Sequence, residues 1–391
     1  MFYKKVGIES RNIILMYIFN IVGGLLFFLP VLALYLEKNL FTVTNVAIIF
    51  SIEAILWAVF EIPTGAIADI FGRKKTLIIG HMLALLSFVF LYIGGSMLVF
   101  ILFAVLNSLG RSLGSGTESA LIYDTLKSEN KEEYYKKIIG TYHALWPFGA
   151  VVGSLVGGYI ATFSLSLTVL LTFIPMVLAT IVIFFLEEPE YEKEEERNIL
   201  KHMINSSKIV IQDYQLIILF IGGFIIWGLG ESMHGLNSLF FTFKDIPLIY
   251  FGAISSFIFG LSSLGHYTAH DVSEKIGDKK TLIVSTLGTA AFLLTATLTE
   301  SYLTAVLWII PSYFFGLRNP VIDHRINLEV PSSRRATIIS VYNLFIRVGV
   351  AILAPFIGYL AELYNINTAF KISAGLMFTV PVLYLFLKNN K

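Results

Sequence analysis

Long apolar runs alternate with short polar turns along the whole chain. Most runs reach about 18 residues or more, which is the length at which an α-helix crosses the hydrocarbon core of a bilayer. The pattern predicts twelve membrane spans, at residues 12–36, 44–70, 76–95, 97–126, 134–162, 164–186, 212–242, 247–272, 280–298, 302–328, 335–362 and 366–387. The expected fold class is therefore an all-α membrane protein.

The hydrophilic segment that begins Glu-Glu-Pro-Glu-Tyr-Glu-Lys-Glu-Glu-Glu-Arg at residue 187 divides the spans into six and six. We predict an N-terminal six-helix half at 1–186, a cytoplasmic connector at 187–211 and a C-terminal half at 212–391. The halves share a sequence repeat, because Lys74-Lys-Thr-Leu-Ile-Ile79 recurs as Lys279-Lys-Thr-Leu-Ile-Val284. Repeats of this kind indicate two pseudo-symmetric bundles with a substrate cavity between them.

Composition and charge support a membrane location. Hydrophobic residues make up 56% of the 391 residues and charged residues only 14%, whereas soluble chains carry about 25% charged residues. The chain has no cysteine, which excludes disulfides and thiolate metal sites, and the net charge of +1 does not indicate a nucleic-acid partner. Lysines and arginines concentrate in alternate loops, so both termini are expected in the cytoplasm, with the chain in the cell membrane. The polar N-terminus lacks a cleavage site, so the first span is expected to be retained.

The turn between the second and third predicted spans carries a motif that combines small, acidic and basic residues. Its members are Gly65, Asp69, Gly72, Arg73 and Lys74. Their spacing resembles the signature loop between helices 2 and 3 of the major facilitator superfamily of secondary transporters. The resemblance implies that fold, and it implies that Arg73 pairs with Asp124 as a latch of the outward-open state. The alternative is a plain cluster of cations that fixes the topology of the chain.

Two further stretches resemble drug exporters of that superfamily. Glu61, with Pro63 after it and Glu53 before it, is similar to the motif variant of clostridial tetracycline efflux proteins. The fifth span carries the glycines of an antiporter motif, with Ser154 in place of its proline; these are Gly149, Gly153, Gly157 and Gly158. The resemblance implies proton-coupled export of small amphipathic compounds. The alternative is that these glycines only allow close helix packing.

Ionisable residues inside the predicted spans are candidates for substrate binding or proton coupling, because each costs at least a few kcal/mol in lipid. They are Glu53, Glu61, Arg111, Glu118, Glu231, His234, Arg318 and Arg347. A carboxylate in apolar surroundings binds a proton more readily than in water, so the four glutamates are the candidates for proton coupling. The alternative is that pairs such as Arg111 with Glu118, or Arg347 with Glu53, only hold the bundle together.

We expect a secondary transporter with a small-molecule substrate, embedded in the lipid bilayer and monomeric, that uses a proton gradient and no cofactor. His266, His270 and Asp271 have a spacing that could ligate a metal, but a structural role is favoured and no metal site is predicted. Uptake or facilitated diffusion of a nutrient through the same fold remains open, because the sequence does not fix direction. A membrane enzyme is disfavoured, since no phosphate-binding motif occurs and no His/Asp cluster has catalytic spacing. A receptor or scaffold without transport would not need several buried charges in both halves.

Overall fold

The computed structural model describes residues 10–189, 210–330 and 335–388, and these ranges are helical without a β-strand. The predicted connector 187–211 lies outside the described residues except at its two ends. For Gly65 and Asp69 the structure describes only the helix on which they lie. In chain order the α-helices are α1 Arg11–Gly23, α2 Leu32–Leu40, α3 Val43–Phe71, α4 Arg73–Ile93, α5 Met97–Ser128, α6 Tyr135–Ala161, α7 Leu165–Phe184, α8 Tyr214–Gly235, α9 Asn237–Phe243, α10 Phe251–Ile276, α11 Asp278–Leu298, α12 Ser301–Ile309, α13 Pro311–Glu329, α14 Arg335–Leu363, α15 Ile366–Met377 and α16 Thr379–Tyr384.

The helices confirm the fold class. In the described part of the chain, eleven helical segments are long and apolar enough to cross a membrane, and they coincide with the second to twelfth predicted spans. The predicted single span at 12–36 is wrong in one respect. It consists of two separate helices, α1 and α2, joined by residues 24–31.

Local sequence explains why the first span is interrupted. Gly24 ends α1, and Pro30 cannot donate a backbone hydrogen bond to a continuing helix. The interruption is stabilised from α7, because the Thr172 hydroxyl accepts a hydrogen bond from the backbone N–H of Phe27 at 3.1 Å. A broken helix inside a membrane is tolerated where neighbouring side chains satisfy the freed backbone groups in this way.

The chain divides into two compact units, Met1–Leu29 with Val59–Glu196, and Pro30–Ala58 with Arg197–Lys391. In the first unit α1 packs on α6 and α7, and α4 packs on α5 and α7. In the second unit α10 packs on α13, α8 on α14, and α11 on α13 and α15. Residues 30–58 pack within the second unit, as the hydrogen bond from Ser51 Oγ to the Ala351 carbonyl at 2.5 Å illustrates. The division at 187–211 stays a prediction.

The repeated sequence forms the same turn twice. Gly72 precedes α4 with φ +99° and ψ 154°, and Gly277 precedes α11 with φ +85° and ψ 150°. Four residues on, the hydroxyls of Thr76 and Thr281 donate to the carbonyls of these two glycines at 2.7 and 2.9 Å. This backbone conformation is essentially restricted to glycine. The two copies of the repeat are therefore equivalent in local structure as well as in sequence.

Candidate functional site

In the first unit, one face of α5 carries two of the predicted ionisable residues. Arg111, Ser115 and Glu118 lie four and three residues apart, so they share a face of the helix. Glu118 is half-buried, and its Oε2 accepts a hydrogen bond from the Tyr142 hydroxyl of α6 at 2.7 Å. The side chain of Arg111 is exposed. The hydrogen-bond partner that the structure gives Glu118 is therefore a neutral hydroxyl, not the arginine that the sequence suggested.

Two neighbours fix the geometry around Glu118. Tyr142 is buried, and its backbone carbonyl accepts a hydrogen bond from the buried Asn20 side chain of α1 at 2.5 Å. Gly114 lies one turn before Glu118, and a Cβ placed on it would be 2.9 Å from Glu118 Oε1. The carboxyl group thus folds back against its own helix over Gly114, and a larger residue there would make it shift.

Glu61 contributes to the same polar face from α3. Its Oε1 lies 3.4 Å from the Ser115 hydroxyl, which donates a long hydrogen bond to it. Glu61 is exposed, whereas Glu118 is half-buried. The two carboxyl groups therefore differ in their partners and in their exposure.

The predicted latch residues contact each other in the first unit. Arg73 Nε lies 3.1 Å from Asp124 Oδ2, with the two side chains 11% and 14% exposed. The ion pair joins the first turn of α4 to the last part of α5. Its function as a latch stays a prediction.

The start of the connector supplies a residue that the sequence did not reveal. The Glu188 carboxylate accepts hydrogen bonds from the backbone N–H groups of Arg73 at 2.5 Å and Lys74 at 3.0 Å. A carboxylate at this position satisfies unpaired donors of α4 and interacts favourably with the positive end of the helix dipole. Glu188 lies in an acidic run, and no local pattern distinguishes the acid that reaches the turn from its neighbours.

The glycines of α6 are packing residues in this structure. A Cβ on Gly149 or Gly157 would overlap the carbonyl oxygen of Ile21 or Phe27, and Gly153 faces the backbone of Leu25 and Leu26. The glycine stripe therefore receives the end of α1 and the interrupted segment after it. Gly158 is buried next to this stripe. This observation supports the packing interpretation and leaves the exporter interpretation a prediction.

In the second unit, the first part of α3 faces α14. The Arg347 guanidinium lies 3.5 Å from the centroid of the Trp57 ring, a close cation–π contact. Glu53 is half-buried one helical turn before Trp57, so both lie on the same face of α3. This face carries a carboxylate and an indole toward the helix that carries Arg347.

The remaining predicted residues of the second unit differ in burial. Glu231 is exposed and His234 is half-buried on α8. Arg318 of α13 is only 2% exposed. Its Nε and Nη1 atoms have no hydrogen-bond partner in the ranges that the structure describes. Arg318 is thus the most deeply buried of the eight predicted ionisable residues.

The histidines near the end of α10 bond within their own helix. His266 Nδ1 lies 2.8 Å from the Ser262 carbonyl, and His270 lies 3.9 Å from Glu274 while remaining largely exposed. The described part of the chain contains no group of three or more His, Asp or Glu residues arranged to hold a metal ion. These contacts support the structural role that the sequence favoured for His266 and His270.

Comparisons with known proteins place these sites in context. The family model described as Major Facilitator Superfamily matches residues 13–269 and 249–391. A cis,cis-muconate transport protein of Acinetobacter baylyi is 26% identical over 351 residues, covering 84% of this chain and 81% of its own length. An MFS-type transporter of Bacillus subtilis, YxaM, described as uncharacterized, is 20% identical, with 96% of each chain covered.

Solved structures show the same fold. The nucleoside transporter NupG superimposes with a TM-score of 0.82 at 14% identity, covering 97% of this chain and 99% of its own. A D-xylose-proton symporter superimposes with a TM-score of 0.75 at 13% identity, covering 96% and 98%. At this level of identity the likeness concerns the fold alone.

Proposed function

We propose that this protein, which belongs to the major facilitator superfamily and is a multi-pass membrane transporter, couples the movement of a small organic solute to a proton gradient. The observation that carries the proposal is the hydrogen bond between Glu118 and Tyr142 in the first unit. A carboxyl group within a membrane helix is costly and marks a functional position by default. Glu118 is the proposed proton carrier.

The chemistry of the partner suits a group that gains and loses a proton. A tyrosine hydroxyl can donate a hydrogen bond to a carboxylate and can accept one from a carboxylic acid. Glu118 therefore keeps a hydrogen bond to Tyr142 in both protonation states. An ion pair with a cation would favour only the charged state. Protonation then shifts the balance between two conformations of the transporter, which is all that alternating access requires.

The test uses proteoliposomes with an imposed pH gradient, in which lumenal pH and the movement of two probes are followed. The probes are cis,cis-muconate, suggested by the name of the relative, and a fluorescent amphipathic cation, suggested by the resemblance to exporters. Glu118→Gln is expected to abolish gradient-driven accumulation and to retain exchange of solute across the membrane, because glutamine imitates the protonated acid. Glu129→Gln is the matched control, since Glu129 pairs with Lys131 at the end of α5. Accumulation that persists in Glu118→Gln would refute the assignment.

The same assay decides direction. An exporter that exchanges solute for protons concentrates solute in the acidic compartment, and a symporter concentrates it in the alkaline compartment. Protein-free liposomes correct for passive distribution of weak acids and bases. The exporter-like motifs favour antiport, and the name of the muconate relative favours movement of an organic acid anion as the second candidate. Movement that ignores the gradient would indicate facilitated diffusion.

We place the protein in the cell membrane with both termini in the cytoplasm. The cations of Arg73, Lys74 and Lys75 lie in the first turn of α4, and those of Lys279 and Lys280 lie in the first turn of α11. Positively charged loops favour the cytoplasmic side of a membrane. Cysteine-accessibility labelling of single cysteines near either terminus tests this orientation directly, because the natural chain has no cysteine.

A further inference from the structure

The interior of the second unit contains a cluster of three hydrogen-bonding side chains without partners. Arg318, Tyr342 and Tyr384 are 2%, 3% and 0% exposed. Within the described ranges, neither tyrosine hydroxyl has a hydrogen-bond partner, nor do Nε and Nη1 of Arg318. Both tyrosines lie close enough to Arg318 to interact with it electrostatically. Native proteins rarely bury so many unsatisfied polar groups in one place.

The helices around the cluster are shaped to accommodate it. A Cβ on Gly222 of α8 would lie 2.6 Å from the Tyr384 hydroxyl oxygen, and a Cβ on Gly223 would overlap the Tyr342 hydroxyl. Two consecutive glycines thus give both tyrosine rings access to the surface of α8. An aromatic ring also borders the cluster, because the Arg318 guanidinium lies 5.6 Å from the centroid of the Phe315 ring.

Arg325, seven residues further along α13, is a second buried arginine, and the protein itself supplies its hydrogen-bond partners. It is fully buried, but it donates hydrogen bonds to the Lys388 carbonyl at 3.2 Å and to the Gln215 side chain at 3.1 Å. The Glu329 carboxylate lies 4.0 Å from it. Arg325 therefore has neutral acceptors at both terminal nitrogens and a nearby counter-charge, and in the described ranges only its Nε makes no hydrogen bond, whereas Arg318 has no such partner there at either Nε or Nη1.

The nearest acid along α13 does not compensate Arg318. Asp323 is exposed, and its electrostatic neighbours are His266 and Tyr342. A buried guanidinium without a counter-charge is strongly unfavourable. It becomes favourable when a planar anion binds it through two parallel hydrogen bonds. The tyrosine hydroxyls would add two neutral donors to the same anion.

We propose that Arg318, Tyr342 and Tyr384 form a binding subsite for the carboxylate of a small organic acid, and that this acid is the transported solute. Phe315 would contact its apolar body, with Trp227 behind it at a ring distance of 4.8 Å. The proposal deepens the function proposed above and rests on it for the transport step. The cluster is closed in this conformation, so the acid enters in another state of the transport cycle.

Binding to the purified protein tests the subsite without transport. The probes are benzoate, its neutral analogue benzamide, and chloride. Wild type is expected to bind benzoate and not benzamide. Arg318→Gln is expected to weaken benzoate binding at least about thirtyfold, and Tyr342→Phe or Tyr384→Phe about three- to tenfold each. Tyr313→Phe is the matched control, because its hydroxyl lies on α13 and hydrogen-bonds Thr268; it should bind like wild type.

The outcomes separate this proposal from proton coupling. Equal benzoate affinity in wild type and Arg318→Gln would overturn the subsite, and so would failure of wild type to prefer benzoate over benzamide. If chloride stabilises the protein and benzoate does not bind, the cluster holds an inorganic counter-ion for Arg318, and the carboxylate subsite is also overturned. If Arg318→Gln does not fold, the Tyr342→Phe/Tyr384→Phe double variant replaces it: its benzoate affinity is compared with that of wild type, and equal affinity overturns the subsite. Selective benzoate binding in a protein whose transport ignores the pH gradient would support the subsite and refute proton coupling.

Discussion

The glycine at the second copy of the repeated turn offers a quantitative test of the internal symmetry. Gly277 has φ +85° and ψ 150°, a region that other residues occupy at a cost of about 1–3 kcal/mol. A Cβ placed on it would have no heavy atom within 4 Å. Gly277→Ala would therefore introduce backbone strain without a steric clash. Reduced freedom of the unfolded chain offsets about 0.4–1 kcal/mol of that strain, which leaves a net destabilisation of up to about 2.6 kcal/mol.

The chain provides a matched control and a second case. Gly260 lies within α10, and a Cβ there also has no neighbour within 4 Å. Because its backbone is helical, Gly260→Ala is expected to stabilise the protein by about 0.5–1 kcal/mol. Gly72 has the same strained conformation as Gly277, but its Cβ would lie 3.0 Å from the Glu188 carboxylate. Gly72→Ala should therefore cost more than Gly277→Ala.

The assay is unfolding in mixed micelles with an increasing fraction of sodium dodecyl sulfate, followed by the helical circular dichroism signal. The expected order of stability is Gly260→Ala, wild type, Gly277→Ala and Gly72→Ala, from highest to lowest. Gly277→Ala that is as stable as Gly260→Ala would refute the assignment of a strained glycine turn. Equal costs at Gly72 and Gly277 would refute the contact with Glu188.

Two further predictions concern buried charges. The Arg73–Asp124 pair is little exposed. A double-mutant cycle with Arg73→Gln and Asp124→Asn should therefore give a coupling energy of about 1–2 kcal/mol, above the ~0.2–1 kcal/mol of surface pairs. A coupling energy below about 0.5 kcal/mol would contradict a buried ion pair. Lys244 is 1% exposed, and its Nζ donates to the carbonyls of Thr297 and Thr299 and to the Glu300 carboxylate. Lys244→Met should lower the free energy of unfolding by about 2–4 kcal/mol. The exposed control Lys38→Met should change it by less than about 0.5 kcal/mol. Equal effects of the two substitutions would refute a stabilising role for the Lys244 hydrogen bonds.

The fold was predictable because membrane helices have strong local signals. Span length and apolar composition alone located eleven of the twelve predicted spans, since a helix in lipid satisfies its own backbone hydrogen bonds. The first span was predicted as one helix for the same reason. Gly24 and Pro30 interrupt it, and the interruption is stabilised by Thr172, which lies far away in the sequence on α7. Local hydropathy does not report such a tertiary contact.

The site was predictable at the level of residue type but not of partners. An ionisable residue in an apolar span is conspicuous in any sequence, and Glu118 and Arg318 are candidates for that reason; their role in transport stays a prediction. The sequence left open a pair between Arg111 and Glu118, because both lie on the same helix face. The structure gives Glu118 a hydrogen bond from Tyr142 on a different helix. Tyrosine is frequent in this chain, which has 19 of them, so no single tyrosine stood out.

The two buried arginines of α13 show why partners, and not burial, determine what a charge does. Both side chains are almost fully buried, so the free-energy cost of removing each guanidinium from water is comparable. Both also lie on one face of the helix. For Arg325 this desolvation cost is offset within the protein by hydrogen bonds to a carbonyl and an amide oxygen and by a nearby carboxylate. Arg318 faces two hydroxyls and an aromatic ring, none of which carries a compensating charge. A charge that the fold leaves uncompensated favours a conformation in which a ligand supplies the missing anion. In the subsite proposed above, the same arginine would select the substrate and bias the transport cycle toward the state that holds it.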